Sequence, residues 1–252
     1  MRILGIDTAT SVASAAVIED GKLIAEQFHP SHGSESDATL ARGKSNHAEI
    51  ILPLIESVLA KADISLADIS GLAVSVGPGS FTGVRIGLST VKGLAYGWDV
   101  PVVGVSTLLA NAARVENFDG LVCSLLDARK NEVYAALFSR TEMDLTRLME
   151  DVVVPVDAVV KRIQTLARAA SCLFIGDGVR MYEKKLLGAL GNGVRLCAGG
   201  SCLSVAASVA RLGGDRLRSS KGDELAALAP VYLRAPEAET RSNNQTRLIE
   251  NV

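Results

Sequence analysis

Two stretches about half a chain apart repeat one pattern, and that repeat constrains the fold more than any other feature. Arg2 to Asp7 (RILGID) is a short apolar run closing on an aspartate. A polar turn, Thr8 to Ser11, leads to a second apolar strand, Val12 to Ile18. A hairpin turn at Glu19 to Lys22, with Gly21 available for positive φ, then opens a third strand, Leu23 to Phe28. Leu121 to Asp127 (LVCSLLD) begins the sequence of events again, with strands over Glu132 to Phe138 and Leu145 to Val154. A helix at Asp157 to Ala170, a strand at Cys172 to Ile175 and a helix at Arg180 to Leu190 follow. Such a duplication predicts two tandem α/β lobes. Residues 1–106 form the first, completed by a helix at about 201–213, and residues 107–200 form the second. Residues 237–252 are polar and aperiodic, which predicts a disordered tail.

Between the repeats lie two helices with unusual faces. Asn46 begins NHAEIILPLIESVLAKA, in which Ile51, Leu54, Ile55, Val58 and Leu59 follow helical spacing while Ile50 and Leu52 widen the apolar face. The second helix, from about Thr82 to Ala95, follows Ser75 to Gly87, SVGPGSFTGVRIG. Its apolar strand end, Gly-Pro-Gly turn and helix N-terminus make either an anion site or a close-packed turn. Gly83 and Gly87 lie four apart on one face, and each costs roughly 0.5–1 kcal/mol relative to alanine. The over-wide face of the first helix and the paired glycines of the second both call for a close helical partner. Ile51, Ile55, Val58, Gly83, Gly87, Leu88 and Val91 are the expected surface.

Composition excludes several function classes. A net charge of −2 and 4 % aromatic residues leave neither a basic footprint nor stacking platforms for nucleic acid. The N-terminus lacks the regions of a signal peptide and no apolar stretch approaches a membrane span, so a cytoplasmic protein is expected. The four cysteines show no CxxC and no nearby histidine, which argues against structural zinc and for small buried apolar roles.

Candidate chemistry is sparse. Asp7 and Asp127 each end a strand, where a carboxylate can handle metal or phosphate or simply cap its own turn. His47 opens the first helix, but one turn later stands Ile51, so a metal pair is missing. His29 and His32 fall in a polar loop. Gly77-Pro78-Gly79 is followed by no Gly-Lys-Ser/Thr and is not a Walker A loop. Arg85, one turn into its helix, meets solvent, an anion or a partner's carboxylate.

Four blocks together resemble a known family: ILGIDTAT at Ile3 to Thr10, NHAEIILPLIESVL at Asn46 to Leu59, SVGPGSFTGVRIGLSTVKGLA at Ser75 to Ala95 and LLDARKNEVYAALF at Leu125 to Phe138. With PVYLR at Pro230 to Arg234, they look like TsaB (YeaZ), required for the threonylcarbamoyl modification of the adenosine next to the tRNA anticodon. The resemblance implies an actin-like/hexokinase-like ATPase (ASKHA) fold of two ribonuclease-H-like lobes, and kinship to TsaD, the metal-bearing catalytic subunit. TsaD-type proteins carry HxxxH on the helix matching Asn46 to Leu59. Here His47 is followed by Ile51, and no Gly-Gly nucleotide motif is evident beyond Gly176-Asp177-Gly178 or Gly199-Gly200.

The resemblance therefore implies a catalytically inactive subunit with no metal and no cofactor. It would dock TsaD through the helices at 46–61 and 82–95, with His47 and Arg85 at their starts, and engage the ATPase TsaE. Alone it would pair with a second copy, and it would meet tRNA only through the complex. Two other readings compete. An ATP-dependent phosphotransferase would use Asp7 and Asp127 around Mg-nucleotide; a metallopeptidase would need a partner for His47.

Overall fold

The computed structural model describes residues 1–30, 47–142, 144–166, 171–197, 204–220 and 222–234. The expected loop from residue 31 on, the tail expected at 237–252 and His32 lie outside them. β1 (Arg2–Asp7), β2 (Val12–Glu19) and β3 (Lys22–Pro30) form an antiparallel meander. β4 (Gly71–Gly77) and β5 (Val102–Ser106) then add in parallel on the other side of β1, giving the order β3-β2-β1-β4-β5. Because β1 and β4 are covered on both faces, their sequences are almost unbroken apolar runs.

The second sheet repeats this plan. β6 (Gly120–Asp127), β7 (Glu132–Arg140) and β8 (Leu145–Pro155) make the meander, and β9 (Cys172–Ile175) and β10 (Val194–Cys197) complete it in parallel. Its order, β10-β9-β6-β7-β8, is that of the first sheet, so the chain has two ribonuclease-H-like lobes in the ASKHA arrangement. Four-residue β10 was not predicted: one turn of alternation, Val194 and Leu196, is too short a signal, and pairing with β9 defines it.

Five layers result. α1 (His47–Lys61) and α2 (Phe81–Trp98) cover one face of the first sheet, burying Ile51, Ile55, Val58, Val84, Leu88 and Val91 against Leu4, Ile6, Leu72 and Val74. α3 (Thr107–Ala113) and α6 (Ala206–Ser219) lie between the sheets. α6 approaches β1 so closely that a Cβ at Gly5 would meet Ala210, which is why this helix is rich in Ala and Gly. α4 (Val156–Leu166) and α5 (Gly178–Leu190) close the outer face of the second sheet around Phe174, Leu125 and Leu137. α6 extends from Ala206 to Ser219, beyond the predicted end, with Gly213 and Gly214 buried.

Cys123 and Cys172 are buried, free thiols, whereas Cys197 is disulfide-bonded, which corrects the expectation of an apolar filler there. His29 belongs to β3 rather than to a loop. Among the described residues no helix is long and apolar enough to cross a membrane.

Candidate functional site

The Gly77 to Ser80 turn sits at the end of β4, where the two lobes meet, and its chemistry is consumed by the chain itself. Gly77 has φ 104 and precedes a cis bond to Pro78. Ser80 caps α2 by accepting the Gly83 N–H at 3.2 Å, while its own N–H donates to Ala9 O at 2.8 Å. The polar turn that leaves β1, Thr8 to Thr10, therefore lies directly on the glycine turn. Cβ atoms at Gly79 and Gly83 would collide with the carbonyl oxygens of Ala9 and Thr8. Thr8 Oγ1 donates to Gly83 O at 2.6 Å. Of the two readings of this turn, the geometry is that of close packing.

That contact corrects the expectation about the paired glycines. Gly83 and Gly87 make room for Thr8, not for another helix: a Cβ at Gly87 would stand 2.5 Å from Thr8 Oγ1. The apolar members of the expected surface are likewise internal. Ile51, Ile55, Val58, Leu88 and Val91 belong to the core over the first sheet, with Val58 and Val91 at 0 % exposure. Periodicity located an apolar face correctly but assigned it to a partner, because the sheet that covers it is distant in sequence. The outward face comprises other residues: Ala48 and Leu52 on α1, and Phe81, Arg85 and Ser89 on α2, with half-buried Ile86 packing partly on the core. Ala48, Phe81, Thr82, Arg85, Ile86, Ser89 and Thr90 line a shallow groove of about 380 Å³.

Asp7 is fully buried and spends its carboxylate on its own turn, accepting from Thr10 Oγ1 at 2.8 Å and Ala9 N at 3.3 Å. Burial pushes its pKa up, against the opposing pull of these donors. His47 is half-buried beside it; burial lowers its pKa, partly offset by a hydrogen bond to the Thr8 backbone and by the Asp7 charge. Arg114, at the end of α3, also feels Glu26 and Asp7.

Asp127 accepts from Arg129 N at 2.9 Å, the same turn-capping use as Asp7. What joins the two lobes here is a third aspartate. Asp177 accepts Ser11 N–H through Oδ2 and Asp127 N–H through Oδ1, both at 3.2 Å. In sequence the Gly-Asp-Gly at the end of β9 reads only as a weak nucleotide motif; its use as a clasp depends on the fold. Among the described residues no group of three or more His, Cys, Asp or Glu is placed to hold a metal.

A second link crosses the lobes at Pro230 to Arg234. Val231 N donates to Val76 O at 2.8 Å, and the Tyr232 ring stacks on Phe81 with centroids 5.0 Å apart. Arg85 Nε donates to Tyr232 Oη at 2.8 Å, and its guanidinium lies 3.8 Å over the Phe81 ring. Arg234 reaches the second lobe, donating to Ala128 O at 3.1 Å and pairing with Glu132. Sequence reasoning recognised these five residues only as a block of resemblance.

A family model described as TsaD, tRNA N6-adenosine threonylcarbamoyltransferase, matches residues 41–244. The chain is 29 % identical to the tRNA threonylcarbamoyladenosine biosynthesis protein TsaB of Bacillus subtilis strain 168 over 241 residues, covering 96 % of this chain and 97 % of that one. Against TsaB of Escherichia coli K12 identity is 38 % over 170 residues, 66 % of this chain and 68 % of the relative. The solved structure of YeaZ from Pseudomonas aeruginosa superposes at a TM-score of 0.71 with 28 % identity, over 92 % of this chain and 99 % of that one.

Proposed function

The chain belongs to the TsaB family, within the wider group that the TsaD model describes, and from that membership we propose that it is a non-catalytic partner of a TsaD-type subunit in threonylcarbamoyladenosine formation on tRNA. The observation that carries the reading is at position 51. The resemblance to TsaD-type proteins implies a second metal-binding histidine there; in this chain it is an isoleucine, 1 % exposed and packed in the core. The two strand-end carboxylates accept hydrogen bonds from their own turns, Asp7 from the one after β1 and Asp127 from the one after β6.

The part left for this chain is to dock. Its contact surface is the outer side of α1 and α2, where Leu52 is 51 % exposed and Phe81 38 %. The same face pairs with a second copy when the catalytic subunit is absent, and the assembled complex engages the ATPase TsaE. The chain carries a net charge of −2 and meets tRNA through its partners.

Reconstitution tests this. Purified TsaD-type subunit from the same cell is assayed for tRNA modification with and without the chain, and with Leu52→Glu and Ile86→Glu variants whose folding is checked by circular dichroism. Modification and association that ignore both the chain and the variants would refute the proposal. Tight Mg-ATP binding by the isolated chain in calorimetry would favour a phosphotransferase instead.

A further inference from the structure

The strap at Pro230 to Arg234 makes polar contacts with two different lobes. On the first lobe it builds a three-part stack, Arg85 over Phe81 with Tyr232 against both. An arginine on an exposed helix face ordinarily samples many rotamers, and ordering it on binding is costly. Here Nε is bonded and the guanidinium plane is held by a ring, while its outer edge borders the groove between α1 and α2. α2 carries Arg85 and Lys92 and no acidic residue, whereas exposed Glu49 and Glu56 lie on α1, so on the α2 side of the groove the complementary chemistry is a carboxylate among apolar side chains.

On the second lobe the strap meets an unusual turn. Arg129, Lys130 and Asn131 are three successive non-glycine residues in the left-handed region, with φ of 61, 54 and 62. Such a run persists only where its surroundings enforce it. Ala128 N donates to Glu132 O and Glu132 N to Arg129 O, both at 3.0 Å, and Arg234 grips both ends of the turn through Ala128 O and the Glu132 carboxylate. The turn that Asp127 opens and the stack around Arg85 are therefore joined by three residues of chain.

We propose that Pro230 to Arg234 is the positioning element of the docking face: Tyr232 presets Arg85 for a carboxylate of the partner, and Arg234 ties that setting to the second lobe. The inference deepens the docking reading above and rests on it for the partner. Tyr232 and Arg234 act through Arg85 and the Ala128 to Glu132 turn, and so are positioning residues.

Two measurements test it. In hydrogen exchange on the isolated chain, Arg234→Ala is expected to speed exchange about tenfold at residues 128–132 and also at Val231 and residues 81–86, because one strap serves both lobes. Glu132→Gln, a milder change, is expected to give the same pattern at smaller size. Faster exchange confined to residues 128–132 in both variants would overturn the coupling. In affinity titrations against the TsaD-type subunit, Tyr232→Phe is expected to weaken binding about fivefold and Arg85→Gln about tenfold or more. The double variant should then be no weaker than Arg85→Gln alone. Unchanged affinity in Tyr232→Phe, or losses that simply add, would overturn the presetting of Arg85. If the unaltered chain does not bind at all, the docking reading and the role of Arg85 fall together, and the exchange pattern still decides whether the strap couples the lobes.

Discussion

Two glycines of the same helix are expected to answer the same substitution with opposite signs. At Gly83 an alanine Cβ would collide with Thr8 O and stand 3.1 Å from Thr8 C and from Ser80 Cβ. Thr8 follows the central strand β1 directly, so α2 must move away. Overpacking of this kind costs about 1–3 kcal/mol. Moving α2 also breaks the buried bond from Thr8 Oγ1 to Gly83 O, a further ~1–3 kcal/mol when a buried partner is left unpaired. Better helix propensity returns only about 0.5–1 kcal/mol. The balance is a loss of about 1–5 kcal/mol for Gly83→Ala. At Gly93 the added Cβ meets no heavy atom within 4 Å, so propensity acts alone and Gly93→Ala is expected to gain about 0.5–1 kcal/mol. Urea unfolding of the isolated chain, followed by circular dichroism, reads both. A Gly83→Ala variant as stable as the unaltered chain would refute the claim that this glycine exists to admit β1. Destabilisation by Gly93→Ala would refute the claim that this part of α2 is open.

Further consequences concern the ionisable groups. Asp7 holds its proton to higher pH when folded than when unfolded, so its contribution to stability is complete below 3.8 and is lost as pH rises through the raised folded value. The stability of the unaltered chain relative to Asp7→Asn is expected to fall across that window in urea titrations; a difference that stays flat or rises would contradict it. His47 has the opposite sign: its folded pKa lies below 6.5, so its contribution is present at and above 6.5 and is lost as pH falls through the folded value. Imidazole proton shifts should place its midpoint below 6.5, and a midpoint above that would mean the ring is solvated or paired. Burial pushes the Cys172 thiol up to about 12 and the Cys123 thiol up as well. Neither should react with iodoacetamide at pH 8 until the chain is unfolded, as peptide mass analysis would reveal.

Much of the architecture was legible because it is written locally. The repeated strand, aspartate, turn and meander needed only period and turn chemistry, and those gave two lobes with the same strand order. The isoleucine in place of a second histidine at position 51 could also be read one residue at a time. What local pattern could not supply was the identity of the neighbour. Gly83 and Gly87 announce that something approaches α2 closely, and the apolar stripe of α1 announces that something covers it. In both cases the covering group comes from elsewhere: Thr8 for the glycines, and Leu4, Ile6 and Val74 for the stripe. Asp177 and Arg234 are the same lesson with charge. Each is an ordinary polar residue in its own segment, and each becomes a link only when folding brings Ser11 and Asp127 to Asp177, and Ala128 and Glu132 to Arg234. The amino-acid sequence by itself determined the elements, their duplication and the absence of a second histidine on α1. The tertiary structure alone decided which faces are spent inside and which remain for a partner, because burial depends on contacts between segments that sequence spacing does not encode.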